Sequence, residues 1–434
     1  MCVRVSTGLR ELADNRAEKV GLTRFFRNPR VTADEILRTA AARTGAAAAG
    51  RRVLLIEDTS EINYEAKAKR KRGLGRVGNG KDVGLFVHPA LAVDAADGGV
   101  LGLAGAVIWR RTRVKGEDYQ SLPIEEKESH RWLAAPLAAR PFLSDAALVT
   151  VIADREADIY ELFARLPDAK THVLVRAVRD RALAETGDRL LAKIAAEPEA
   201  GRLTFDLPGR PGRTARKVTL SVRFCPVVLR QPARGADRRD PPSIALNLVE
   251  AREIDPPPSE EPIVWRLLTT HAASTLEEAA GIIDLYRRRW IVEQVFRTLK
   301  SQGLALEDSF LSDGDALECL AATALIAAAS VMQLVQGRGE AGATLSAARV
   351  FSPTEISVME RLVRKFEGKT EKQRNPHPRH SLAWAAWCIA RAGGWNGYAT
   401  ERPPGPLTFA RGLRRFHAIA EGFSLAADNA NKPH

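Results

Sequence analysis

The order of apolar and polar positions along this chain predicts a mixed α/β protein. The first fifty residues read as helical. In RNPRVTADEIL, Thr32 stands three residues before Glu35, a capping-box spacing ahead of an apolar pattern of helical period. The helix is expected to fade in the Ala/Gly run TGAAAAGRR. RRVLLIEDTS follows, with four apolar residues and then Glu57 and Asp58; such a run reads as a buried strand whose carboxyl end carries acids. KAKRKRGLGRVGNGKD (Lys67–Asp82) is basic and glycine-rich, so a mobile loop is expected. VGLFVHPALAVDAADGGVLGLAGAVIWRR alternates apolar runs with Gly-rich turns, as antiparallel strands do. ALVTVIADREADIYELFARL is a second strand ending in Asp154, with a helix directly after it.

Between about residue 171 and residue 270 the chain becomes strand-like and is broken by Pro/Gly clusters, with no helix standing out. This segment reads as a β-rich insertion within the α/β domain. Helices return with TLEEAAGIIDLYRRRWIVEQVFRTLK, read as one element, and a charged stretch, VRKFEGKTEKQRNPHPRH, precedes a last helical segment around LAWAAWCIARAGGW. The organisation expected is a helical N-terminal region (1–50), an α/β core in two parts (51–170 and 271–370) flanking the insertion (171–270), and a helical C-terminal region (371–434).

Composition narrows the class. Of the 434 residues, 45% are hydrophobic and 27% charged, which suits a globular protein of more than one domain. The formal net charge of +12 favours an anionic partner, nucleic acid first. Cys2, Cys225, Cys319 and Cys388 form no CxxC pair, which argues against a structural zinc site or disulfide framework and suits a reducing cytoplasm. LECLAATALIAAASVMQLV (Leu317–Val335) is the nearest approach to a membrane span, but Glu318 and its many alanines mark a buried core helix. The N-terminus lacks the apolar core of a signal peptide. A cytoplasmic, nucleoid-associated protein is expected.

Three acids carry the candidate chemistry. Asp58 and Asp154 each end a strand, and Glu293 lies on the helix that follows the insertion. Carboxylates gathered in this way can hold hard divalent ions, and two such ions stabilise both the attacking and the leaving oxygen of an in-line displacement. On a helix at 100° per residue, Tyr286, Arg289, Glu293 and Lys300 fall within an arc of roughly 60°. Leu285, Val292, Phe296 and Leu299 cluster beside that arc, so the polar quartet borders the buried stripe. A lone acid among Arg287, Arg288, Arg289, Arg297 and Lys300 fits a metal-binding glutamate flanked by phosphate-gripping cations. His88 and His130 have no second His or Cys at metal-ligand spacing.

The spacing Y-x(2)-R-x(3)-E-x(6)-K, met at Tyr286, Arg289, Glu293 and Lys300, resembles the signature of the IS4-type DDE transposases. DREADIYEL and IEDTSEINY are similar to the blocks around the two catalytic aspartates in the Tn5-like members, and EKESHRWLAA and IARAGGW also resemble family segments. The resemblance implies an RNase H-like core that performs cut-and-paste transposition on double-stranded DNA as a homodimer. It implies Asp58, Asp154 and Glu293 as ligands of Mg²⁺, with Mn²⁺ able to substitute. It further implies Trp265, in IVWRLLTT, as the platform for a flipped base during hairpin formation, and Tyr286, Arg289, Lys300 and Arg176 as phosphate contacts. Family members usually carry a few dozen more residues ahead of FFRNPRVTADEIL, so a shortened DNA-end-binding region is expected. A shortened form can also act as an inhibitor of transposition, and a structure-selective nuclease on the same core is a third expectation.

Overall fold

A computed structural model describes residues 7–430 except 14, 79, 112–118, 120, 186, 208–213, 234–236, 259, 302 and 399–400, and for 424–430 it describes the backbone alone. Cys2 lies outside the described residues. The chain opens with α1 (Leu9–Leu12), α2 (Arg16–Phe26) and α3 (Ala33–Ala48). Thr32 caps α3 by accepting from Glu35 N at 3.2 Å, while the Glu35 carboxylate turns to Arg38, so only half of the expected capping box forms. The helix does not fade in its Ala/Gly run. Small residues there let it lie close to its neighbours, and a Cβ on Gly45 would stand 2.2 Å from the Phe142 carbonyl oxygen.

Next come β1 (Arg52–Glu57), β2 (Ser60–Asn63), β3 (Gly75–Val77), β4 (Asp82–Asp94) and β5 (Val100–Trp109). After α4 (Arg131–Ala139) come β6 (Leu148–Ala153), α5 (Tyr160–Arg165) and β7 (Thr171–Arg176). β1 pairs antiparallel with β4 and parallel with β6, and β6 pairs parallel with β7. Alternate residues of β1 face opposite cores: Leu54 and Ile56 pack on one side, Val53 and Leu55 on the other. A strand buried on both faces is why the run reads as continuously apolar.

The segment expected to be a β-rich insertion holds α6 (Leu190–Ala196), β8 (Gly201–Leu207), β9 (Arg216–Arg230), β10 (Ser243–Glu253) and β11 (Val264–Thr269). Helix α6 was not legible in the sequence because at seven residues it is too short to show a helical period; Leu190 and Ile194 alone are buried. The strands extend the core sheet itself. One eleven-stranded sheet runs β2-β4-β1-β6-β7-β11-β10-β9-β8, with β3 and β5 also on β4. β11 returns antiparallel to β7, pairing Leu267 with Arg176.

Helices α7 (Leu276–Arg287), α8 (Trp290–Lys300), α9 (Gly314–Gly337), α10 (Glu340–Ala343), α11 (Pro353–Phe366), α12 (Leu382–Ala392) and α13 (Pro406–Ala430) complete the chain. They and α3 cover one face of the sheet, while α4, α5 and α6 cover the other. The result is a three-layered α/β fold with an RNase H-like core. Helix α9 is the expected alanine-rich core helix: it is long and apolar enough to span a membrane, yet it is largely buried between the sheet and the C-terminal helices. The basic loop expected to be mobile is partly built. Lys71 Nζ donates to the Ser309 and Leu311 carbonyls at 2.7 and 2.5 Å, Lys67 pairs with Asp308 at 2.9 Å, and β3 pairs with β4. Its lysines satisfy carbonyls of a distant segment, which no local pattern reveals.

Candidate active site

Parallel pairing brings the two aspartates together. Ile56 of β1 faces Ile152 of β6, and Asp58 and Asp154 each lie two residues further on, beyond the carboxyl ends of adjacent strands. Each aspartate spends one oxygen on its own turn. Asp58 Oδ1 accepts from Thr59 N at 2.8 Å, and Asp154 Oδ1 accepts from Arg155 N at 2.6 Å. Their Oδ2 atoms turn to the same group, the Arg289 guanidinium.

That guanidinium is the centre of the site. Arg289 Nη1 donates to Asp58 Oδ2 at 2.6 Å, Nη2 lies 3.6 Å from Asp154 Oδ2, and Nη1 lies 4.0 Å from Glu293 Oε1. Arg289 is 5% exposed, so this is a buried cation among three carboxylates. Burial pushes the Asp58 carboxyl up to about 6, against the pull of Arg289, with Glu293 and Asp154 adding to the rise. Burial also opposes the Arg289 charge, but Tyr286 and the three acids outweigh it and its pKa stays above the usual guanidinium value.

The segment expected as one helix is two. The amides of Arg288, Arg289, Ile291 and Val292 bond to carbonyls three residues back, a tight joint between α7 and α8. Its three consecutive arginines are drawn in different directions. Arg287 lies over the Phe205 ring at 4.0 Å, Arg288 donates to the Ala95 carbonyl at 2.6 Å, and Arg289 turns inward to the acids. Beyond the joint the predicted face holds: Ile291, Val292, Val295, Phe296 and Leu299 are buried, and Glu293 is partly exposed beside them.

The remaining sequence-derived candidates fall into two groups. Tyr286 is buried, and its hydroxyl is pushed up to about 12 by burial and by Asp154. The Trp265 ring meets the Tyr286 ring edge-on at 5.8 Å and stacks on Phe205 at 6.2 Å. Arg176 closes β7 nearby and donates from Nη2 to the Val264 carbonyl at 3.0 Å. Lys300 ends α8, two turns past Glu293 on the same face and roughly 10 Å along the helix. The first group thus gathers at the acids, and Lys300 marks how far the same face extends.

Oxygen donors of this kind suit a hard divalent ion. Among the described residues, however, no three His, Cys, Asp or Glu side chains stand together as a metal-holding group. The cation that the carboxylates face is Arg289.

Residues 126–329 match the transposase DDE domain. The DDE domain match takes in Asp154 and Glu293 and starts after β1, so Asp58 joins the other two through strand pairing. Together with the RNase H-like fold, it supports a transposase, an enzyme that acts on DNA.

The matched segment also contains a residue that the sequence did not single out. Arg131, in the quoted stretch EKESHRWLAA, donates from Nε to Thr59 Oγ1 at 2.8 Å and from Nη2 to Glu156 Oε2 at 2.5 Å. It therefore ties the turn after Asp58 to the turn after Asp154. Thr59 Oγ1 also shares a 2.9 Å hydrogen bond with His88 Nδ1, and His88 Nε2 lies 3.5 Å from Glu57. Glu57 and His88 are fully buried, and burial drives both towards their neutral forms. No spacing links Arg131 with residues 59 and 156, so only the strand order of the sheet could have suggested it.

Proposed function

We propose that this chain is a cut-and-paste DNA transposase of the IS4, Tn5-like type, with Asp58, Asp154 and Glu293 as its catalytic acids. The observation that carries the reading is their convergence: two adjacent parallel strand ends and α8 bring three carboxylates onto one cation within and beside a DDE domain. The three acids would hold Mg²⁺, or Mn²⁺ in its place, which when bound stabilises charge on the attacking and leaving oxygens of a phosphodiester. The chain's own residues orient the DNA. Tyr286, Lys300 and Arg176 are assigned to backbone phosphates, and Arg289 to a phosphate once it leaves the acids.

Trp265 is assigned as the platform for a flipped base at the hairpin step; its ring is already held by Phe205 and Tyr286, so little order has to be gained on stacking. The groove beside the helical N-terminal region is lined by Arg27, Lys69, Arg70 and Arg72 together with Asp313, Asp315 and Glu318, and its cations are assigned to phosphates. Residues 1–50 are assigned to DNA-end binding and 371–434 to dimerisation. A substrate carrying the terminal inverted repeat of the parent element tests the reading. With Mg²⁺, wild type should nick it and join it to a target plasmid, while Glu293→Gln should lose nicking by at least about a hundredfold and bind the same DNA normally. Retained nicking by the variant rejects Glu293 as a catalytic acid.

A further inference from the structure

The placement of Arg289 has a consequence for how the site is loaded. We infer that Arg289 is a built-in counter-cation that holds Asp58, Asp154 and Glu293 together in the metal-free chain and competes with a divalent ion for them. The inference rests on the assignment of these acids as metal ligands.

Two observations and the electrostatics of the site support it. The free Oδ2 of each aspartate points at the guanidinium, at 2.6 and 3.6 Å, with Glu293 at 4.0 Å. Three carboxylates facing one another without a cation would repel strongly in a buried setting, and Arg289 supplies the missing charge. The arginine is also not tied into the fold by its inner nitrogen: Arg289 Nε is buried with no hydrogen-bond partner. A guanidinium built as a permanent strut would be expected to use that donor; this one is fastened through the acids a metal ion would take and, beside them, the Tyr286 hydroxyl.

A divalent ion entering the site has to displace Arg289 from Asp58 Oδ2. The freed guanidinium then sits at the rim of the site, beside Trp290, over whose half-exposed ring it already leans at 5.3 Å. A phosphate group is the natural acceptor for it there. Metal loading and phosphate binding would thereby draw on one side chain.

The test uses the full chain without DNA and Mn²⁺ as the probe, with binding read by electron paramagnetic resonance and folding by circular dichroism. Arg289→Gln should bind Mn²⁺ at least tenfold more tightly than wild type. In chelator it should melt several degrees below wild type, because the carboxylates have lost their counter-charge, and sub-millimolar Mn²⁺ should restore the loss while leaving wild type nearly unmoved. Arg289→Lys, which keeps a cation at the site, should stay close to wild type in both readouts and guards against a fold defect in the first variant. Equal or weaker Mn²⁺ binding by folded Arg289→Gln overturns the competition. Absence of site-specific Mn²⁺ binding in all three proteins overturns the metal assignment beneath it as well.

Discussion

Arg131 shows how a single side chain can govern a site that it does not enter. Its guanidinium joins Thr59 to Glu156, and so fixes the spacing between the turns that carry Asp58 and Asp154. With the acids as the proposed catalytic groups, it acts as a positioning residue. Arg131→Ala should lower the nicking rate about ten- to a hundredfold while leaving DNA affinity and KM for DNA nearly unchanged. A matching loss of affinity would mean that Arg131 acts on DNA directly.

A second single-residue effect lies at the other end of the same strands. His271 stacks on His172 at 4.1 Å and shares a 2.9 Å hydrogen bond with Thr150. Burial, with His172 adding, pushes its pKa down from 6.5 to about 4. Below pH 6.5 the unfolded chain protonates His271 and the folded chain does not, so this contribution is full above pH 6.5 and is lost as the pH falls towards 4. On the order of 2 kcal/mol is at stake. The stability gap between wild type and His271→Asn in urea titrations should shrink over that range; a constant gap would deny the linkage.

The acids were legible because each sits in a local pattern, a strand end or a helix face, that sequence displays. The inward turn of Arg289 and the bridge made by Arg131 were not, since both depend on contacts between segments far apart in the chain.

At the level of elements, the sequence read strands well where apolar runs ended in acids or turns, as at β1 and β6. It read one helix where α7 and α8 meet, because all the residues of the joint keep helical dihedrals and only their hydrogen bonds tighten. It also read a mobile loop where Lys67 and Lys71 anchor a turn to the segment after α8.

The C-terminal elements depend on close backbone approach. A Cβ on Gly412 of α13 would fall 1.9 Å from the Ile389 carbonyl of α12, and one on Gly393, just past α12, 2.1 Å from the Thr408 carbonyl. Backbone cannot yield as a side-chain tip can. Gly412→Val should therefore cost about 2 kcal/mol or more and loosen α13 first, seen as earlier proteolysis within α13 in limited digests. Digestion that begins elsewhere would show that this crossing is not what seats the helix.

Across the whole molecule, the sequence marked the insertion as a change of character, and the fold shows why it was not visible as part of the core. Its strands alternate between polar and apolar positions, as in Arg216–Arg230, while β1 and β6 of the core carry continuous apolar runs such as Val53–Ile56. Yet β11 pairs directly with β7, so backbone hydrogen bonds run unbroken from the strand of Trp265 through β7 to β6, the strand that stops just before Asp154. The sheet thus works as a ruler. Trp265 and the acids are graduations on one stiff edge, and their separation is set before any DNA arrives. On the proposed assignment of Trp265 to a flipped base and of the acids to the phosphodiester, a DNA end that reaches both must do the bending itself. Sequences that unstack and kink readily near the end would then be cut faster than stiff ones, with no side chain reading their bases.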